Sequence, residues 1–198
     1  MLIDLTDKWE EINSHAHDRN SFKENNSVVS KKYNTKKTDE EINVDGLKGE
    51  YAVANFLGLE VNKEITFVGD GGSDLEYKDK TIQVKYNNYR CGEGDLYFDN
   101  VPNSTYIFKT DVAFLVVPTK EEKVVNIVGW ITREEFNKKC YIRNFGYGER
   151  KVVDQWDLTP TKAFLLRGNT SCQSKVIQTG SQSTPKPVRR EGEQTRGL

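Results

Sequence analysis

The chain has few of the residues that mark a disulfide scaffold or a zinc site. Its three cysteines, Cys91, Cys140 and Cys172, are an odd number at wide spacing, which predicts neither a disulfide framework nor a zinc knuckle. Its two histidines form a lone His15-x-His17 pair. Because a tetrahedral metal site needs more ligands than two imidazoles, we expect this pair to be solvated.

Long apolar runs and a leader-like N-terminus are also lacking. The longest runs, such as Val112–Val117, are far too short to span a bilayer, and Met1–Glu10 has acidic residues but no apolar stretch of a secretory signal. We therefore expect a cytoplasmic protein with no membrane partner. An excess of charge of one sign is missing as well: a net charge of −1 does not indicate a nucleic-acid binder. A nucleic-acid surface would have to concentrate its basic residues locally.

Composition divides the 198 residues into three segments. Residues 1–37 are poor in apolar side chains and are expected to form a short helix and a linker. Residues 38–167 are the expected core. Residues 168–198 are rich in Ser, Gln, Thr, Gly, Pro, Lys and Arg, which predicts a disordered tail. Five basic minus two acidic residues give this tail a net charge of +3, enough for weak contacts to DNA phosphates.

The periodicity within the core predicts an α/β fold, in which a mixed central sheet is flanked by helices. A helix is expected between an N-cap at Asp45 and a C-terminal stop at Gly58. The run Asp111–Val117 is apolar throughout, as in a buried central strand. Thr132 and Glu135 form a capping box that begins a short helix. The other predicted elements are strands at residues 65–68, 74–77, 81–86, 96–98, 124–130 and 151–156 and a helix at 161–166.

Polar side chains recur on one face of the predicted hairpin. Asp74 and Glu76 share a face of the first strand, and Gln83 and Lys85 share a face of the second. A two-residue loop at Asp79–Lys80 would set Asp74 opposite Lys85 and Glu76 opposite Gln83, with Cβ atoms about 4.5–5.5 Å apart. Carboxylate and amide oxygens are ligands that Mg²⁺ prefers. Ordinary cross-strand pairs on a solvent-exposed face would give the same pattern.

Glu50 is the third acidic candidate. It lies on the helix face that carries Leu47 and Ala54, and burial of a carboxylate is costly unless a cation accompanies it. A bound metal would supply that cation. The alternative is that Glu50 simply complements the dipole of a helix that begins nearby.

These residues resemble the PD-(D/E)XK phosphodiesterase superfamily, which includes restriction endonucleases and Holliday-junction resolvases. The resemblance covers roughly residues 45–135 and rests on Gly49-Glu50, Ser73-Asp74 and Gln83-Val84-Lys85. It implies a restriction-endonuclease-like core in which Glu50, Asp74, Gln83 and the Val84 carbonyl hold Mg²⁺ or Mn²⁺. It also implies that Lys85 orients or deprotonates the attacking water, or stabilises the transition state.

The chain departs from the family pattern at two positions. Gln83 stands where an acid is usual, and Ser73 stands where proline is usual before Asp74. The resemblance implies a metal-dependent deoxyribonuclease, with endonuclease action expected, DNA as partner and no small-molecule cofactor. A homodimer is left open. Because Gln83 lacks a charge, an alternative is a nuclease-fold module that binds nucleic acid or protein with little catalysis.

Overall fold

The uninterrupted apolar run near residue 115 forms the centre of the fold. The computed structural model describes residues 1–26, 36–65, 73–87, 94–100, 107–146 and 148–170. In chain order its helices and strands are β1 (Leu2–Asp4), α1 (Trp9–Asn25), α2 (Asp39–Leu57), β2 (Leu75–Tyr77), β3 (Lys80–Tyr86), β4 (Leu96–Asp99), β5 (Val112–Pro118), β6 (Val124–Thr132), α3 (Arg133–Lys139), β7 (Tyr141–Asn144), β8 (Glu149–Val153) and α4 (Lys162–Thr170).

Two sheets contain these strands. The larger has the order β1-β6-β5-β3-β2, with β3 and β5 parallel and the other pairs antiparallel. The smaller has the order β4-β8-β7 and is antiparallel. A mixed sheet flanked by helices confirms the predicted α/β class. None of the described helices is long and apolar enough to cross a membrane.

The central strands are buried on both faces, which explains why β5 reads as a continuous apolar run. On one face, side chains of α1, α2 and α4 pack against Val112, Phe114 and Val116. On the other face, Ala113 and Leu115 pack with residues of β4, β8 and α3. The larger sheet is thus the middle layer, and any polar side chain on β3 must point into one of the two cores or toward an edge.

Helix α2 begins earlier than the sequence predicts. The side chain of Thr38 accepts the N–H of Glu41, and the Glu41 carboxylate accepts the N–H of Thr38, which is a complete capping box. This reciprocal cap outcompetes Asp45, so the helix starts at Asp39 and Asp45 lies inside it. The predicted stop is confirmed, because Gly58 adopts the left-handed conformation with φ of 69°. The predicted capping box of α3 is also confirmed.

The N-terminal residues contribute to the core rather than only preceding it. β1 pairs with β6, and Leu5, Ile12 and Ala16 are fully buried in the same cluster as α2. The short helix predicted within residues 1–37 is therefore only part of what forms there: the segment forms β1 and then α1, which continues to Asn25. Residues 27–35 lie outside the described residues, as do residues 66–68 of the predicted strand at 65–68. Residues 171–198, which are most of the predicted disordered tail, also lie outside them.

The hairpin is formed as predicted, but its register differs by two residues. Leu75 pairs with Ile82 and Glu76 with Thr81, so Glu76 does not oppose Gln83. The two-residue loop is Lys78–Asp79, and both residues have positive φ, 48° and 63°. A two-residue hairpin needs two such residues to match the twist of its strands. A shift by two leaves every side chain on its predicted face.

The smaller sheet contains a strand that the sequence did not predict. β7 has four exposed residues and no alternation of burial, so it carries no periodic signal. The strand predicted at 151–156 is observed as β8, two residues earlier, and the following residues 155–157 form a 3-10 turn. The helix predicted at 161–166 is α4, which continues to Thr170.

Gly129 is required by close packing, and we expect Gly129→Ala to destabilise the fold. A Cβ at this position would lie 2.7 Å from the carbonyl oxygen of Thr159 and 2.8 Å from the Cβ of Leu158. That segment is bonded to β6 through Trp130 and Thr159, so it cannot move away freely. We expect a loss of about 1–3 kcal/mol in the free energy of unfolding, measured by urea denaturation.

The matched control is Gly46→Ala in α2, where a Cβ meets no atom within 4 Å. Alanine is the better helix former, so this variant should gain up to about 1 kcal/mol. A Gly129→Ala variant as stable as the parent would show that the segment at Thr159 is not fixed against β6.

Candidate active site

Asp74 lies at the point where the hairpin opens. It precedes β2, donates its backbone N–H to the Ile82 carbonyl at 2.9 Å, and accepts the Val84 N–H through Oδ2 at 2.5 Å. Asp74 therefore bonds to the residues on both sides of Gln83. Within the described part of the chain, β2 pairs only with residues 80–82 of β3, so the carboxylate takes the place of a strand partner at Val84.

Gln83 and Val84 each contribute an oxygen to the stretch of β3 that Asp74 bonds. Gln83 is 8% exposed, and its Oε1 is buried with no hydrogen-bond partner in the described structure. The N–H and C=O of one strand residue point to the same edge, so the Val84 carbonyl points to the side on which Asp74 lies. A buried amide oxygen without a donor is costly unless something else satisfies it.

Lys85 lies two residues after Gln83 on the same face of β3. Its register partner on β5 is Leu115, and its Nζ is 5.1 Å from the ring centroid of Phe98. Phe98 is 2% exposed and stacks on Phe108 with centroids 4.6 Å apart. The ammonium therefore lies against a rigid aromatic pair of the second core, where a cation–π contact is favourable.

Glu50 lies on the opposite side of the sheet. Its neighbour Gly49 packs against β3, where a Cβ would lie 3.1 Å from Val84 Cγ1. The Glu50 carboxylate is held by Arg19 of α1 through two hydrogen bonds of 3.0 Å each, a bidentate ion pair. The side chains are 11% and 26% exposed, respectively. The burial of Glu50 agrees with the sequence pattern, but its cation is a guanidinium.

The structure brings Asp74 to the backbone of β3 on both sides of Gln83, and Lys85 follows Gln83 on the same face of that strand. Glu50 follows Gly49, which packs on Val84 from the opposite face of the sheet. The described hydrogen bonds of Glu50 come from Arg19, whereas Lys85 contacts Phe98 in the second core.

The sequence pattern missed the residues that hold the candidates in place. Arg19 belongs to a helix with few apolar residues, which reads as a linker, and its i−4 neighbour His15 is buried rather than solvated. Burial, and then the Arg19 guanidinium, lower the pKa of His15, which keeps the ring neutral. The sequence predicted Phe98 only as part of a strand. Its contact with Lys85 joins strands of two different sheets. No local sequence signal reports either contact.

Among the described residues, no group of three or more His, Cys, Asp or Glu side chains is placed to hold a metal ion. A cation at this edge would depend on one carboxylate and neutral oxygens. No family model, curated protein or solved structure matches the chain.

Proposed function

We propose that this chain is a metal-dependent nuclease that hydrolyses DNA phosphodiester bonds, with a restriction-endonuclease-like core. The observation that carries the proposal is the hydrogen bond from the Val84 N–H to Asp74. It brings a carboxylate to the strand position next to Gln83, whose buried amide oxygen has no hydrogen-bond partner in the described structure. The order of α2, the hairpin and the apolar strand β5 is the order that the resemblance implies. The proposal is supported by the chemistry of the oxygens of Asp74, Gln83 and Val84.

The oxygens at this edge suit a hard cation. The Asp74 carboxylate, Gln83 Oε1 and the Val84 carbonyl would hold Mg²⁺ or Mn²⁺, which prefer carboxylate, carbonyl and water oxygens. Among the described residues Gln83 Oε1 has no donor, which supports the fit because a ligating oxygen needs none. When bound, the ion would supply charge neutralisation at the phosphate and a more acidic water. We keep Glu50 as a proposed ligand that would first have to leave Arg19.

Lys85 would act on the developing charge of the phosphate. Its ammonium lies on the Gln83 face and is supported by the Phe98 ring at 5.1 Å. A positioned cation of this kind stabilises transition-state charge without having to reorganise. The Phe98–Phe108 stack would hold the ammonium in place, because both rings lie in the second core.

The proposal is tested by incubating the purified protein with supercoiled plasmid, linear duplex and branched DNA, each with Mg²⁺, Mn²⁺ or EDTA. Cleavage of at least one substrate with a divalent ion is expected. Nicking of the closed plasmid would indicate endonuclease action. No cleavage of any of the three DNAs with either ion would contradict a nuclease function.

We predict that activity depends on the divalent ion and that Mn²⁺ supports it better than Mg²⁺. Gln83 makes the ligand set less anionic than the usual pair of acids, and Mn²⁺ binds oxygen and nitrogen ligands more strongly than the reluctantly dehydrated Mg²⁺. The measurement is a metal titration of the cleavage rate, paired with the thermal midpoint of unfolding.

The matched variant is Gln83→Glu, which restores an acid at the same position. It should lower stability without metal, because it buries a second carboxylate near Asp74, and should show the larger rise in midpoint when Mn²⁺ is added. Undiminished cleavage in excess EDTA, or equal Mn²⁺ responses of parent and variant, would count against this site.

A second candidate is a nuclease-fold module that binds nucleic acid with little catalysis. The observation that favours it is the bidentate pairing of Glu50 with Arg19, which neutralises one of the two acids that the resemblance assigns to the metal. Tight DNA binding without cleavage under any metal condition would favour this candidate.

A further inference from the structure

The most exposed large apolar side chain of the described residues lies outside the candidate site. Trp156 is 84% exposed, and Tyr141 and Ile142 nearby are 42% and 50% exposed. Trp156 occupies the middle of the 3-10 turn Gln155–Asp157 between β8 and the buried residue Leu158. An indole so open to water contributes little to the fold and leaves its ring accessible to a ligand.

The turn that carries Trp156 is fixed by three different segments. Gln155 Oε1 accepts the N–H of Gly94 at 3.0 Å. Asp154 Oδ1 accepts the hydroxyl of Tyr141 at 2.8 Å, and the Asp157 carbonyl accepts the Lys139 ammonium at 2.8 Å. These bonds tie the turn to α3, to β7 and to the segment ahead of β4. The backbone of the turn that carries Trp156 is therefore held in place, which lowers the conformational entropy lost when a ligand stacks on the indole.

The same turn is connected to the end of β3. A Cβ on Gly94 would lie 3.3 Å from Asn87 Nδ2, and Asn87 donates that amide to the Asp95 carbonyl at 2.9 Å. Asn87 follows Lys85 by two residues. Contacts of Gly94 and Asp95 thus link the turn that carries Trp156 to the end of β3, the strand of the proposed catalytic residues.

Exposed cations and aromatic rings lie near the turn that carries Trp156. Arg143 is half exposed; its guanidinium lies 5.0 Å from the ring of Phe145 and 3.6 Å from the Asp95 carboxylate. Exposed Lys139 bonds the Asp157 carbonyl. Cations beside aromatic rings are typical of proteins that bind single-stranded nucleic acid.

We infer that the surface formed by Lys139, Tyr141, Arg143 and Trp156 binds unpaired nucleotides, with a base stacked on the Trp156 indole and phosphates beside Lys139 and Arg143. The inference deepens the proposed function, on which it rests, by naming substrates that contain single-stranded or unpaired segments. Bases in a duplex are already stacked on each other and leave no face for the indole. A rigid exposed ring therefore selects unpaired bases.

The test is fluorescence anisotropy with a labelled single-stranded oligonucleotide and the duplex of the same sequence, in EDTA so that no cleavage occurs. The parent should bind the single strand more tightly. Trp156→Ala should weaken that binding by roughly five- to a hundredfold, whereas Trp156→Phe, which keeps a stacking ring, should retain most of it. Leu166→Ala is the matched control, because Leu166 is 71% exposed and lies on α4.

The salt dependence separates stacking from charge. Trp156→Ala should leave the slope of log affinity against log salt unchanged, whereas Lys139→Ala and Arg143→Ala should each reduce it by about 0.7. Binding of Trp156→Ala equal to that of the parent would overturn the inference. So would a parent dimer that Trp156→Ala dissociates in sedimentation, since the indole would then face a second copy.

The outcomes also separate this inference from the nuclease proposal. Trp156-dependent binding of single strands without cleavage in Mg²⁺ or Mn²⁺ would support the binding surface and contradict the nuclease. Metal-dependent cleavage that Trp156→Ala leaves unchanged on single-stranded and branched DNA would do the reverse.

Discussion

Lys85→Ala should lower the rate of DNA cleavage by roughly two orders of magnitude or more, as expected when a charge that acts at the transition state is removed. Its Nζ lies against Phe98 on the face that also carries Gln83, so the loss should fall on the chemical step rather than on binding. Single-turnover rates at saturating protein measure that step directly. Lys80→Ala, at the exposed start of the same strand, is the matched control.

Asp74 needs two variants, because its side chain has a structural bond as well as a proposed role. Asp74→Ala loses the acceptor of the Val84 N–H, which should cost about 1–3 kcal/mol in stability beside the loss of cleavage. Asp74→Asn keeps an oxygen that can accept this bond but removes the charge. We expect it to remain nearly as stable as the parent and yet to cleave roughly a hundredfold more slowly or worse.

Glu76→Ala is the control for both Asp74 variants, since Glu76 is exposed on the adjoining strand and opposes Thr81. It should cleave at the parent rate. A folded Lys85→Ala or Asp74→Asn protein with the parent's single-turnover rate would show that the reaction, if present, takes place elsewhere.

The sequence predicted those parts of the fold whose cause is local. Capping at Thr132, the left-handed stop at Gly58 and the apolar run of β5 each follow from a few adjacent residues. The start of α2 was misplaced because two adequate caps, Thr38 and Asp45, compete, and the reciprocal bond from Glu41 decides between them. Strand β7 was missed because exposure of all four residues removes alternation.

The candidate site was predictable in composition but not in arrangement. Alternation along β3 correctly placed Gln83 and Lys85 on one face, and this survives the two-residue change in register. The alternative of a solvent-exposed face does not hold for Gln83, which is 8% exposed. The hydrogen bonds from Arg19 to Glu50 and the contact of Lys85 with Phe98 join segments that are distant in sequence. Local sequence patterns therefore cannot predict them.

Arg19→Met should destabilise the protein by about 3 kcal/mol, because it leaves the Glu50 carboxylate largely buried without its cation. For a domain of this size that corresponds to a fall of roughly 6–12 °C in the thermal midpoint. Lys138→Ala is the matched control, because it breaks an ion pair with Glu134 in which both side chains are exposed, 70% and 79%. This variant should change stability by less than about 0.5 kcal/mol.

The double variant Arg19→Met with Glu50→Leu identifies the origin of the loss. If the unpaired carboxylate causes it, removing that carboxylate should recover most of the stability, whereas a loss caused by packing of the Arg19 stem would persist. The single variant also tests Glu50 as a ligand. Once released from Arg19, a Glu50 that can reach the metal should make Mn²⁺ raise the midpoint of Arg19→Met more than that of the parent. Equal shifts of the midpoint with Mn²⁺ would restrict the role of Glu50 to its ion pair with Arg19 between α1 and α2. Asp74, Gln83 and Val84 would then be the only proposed ligands.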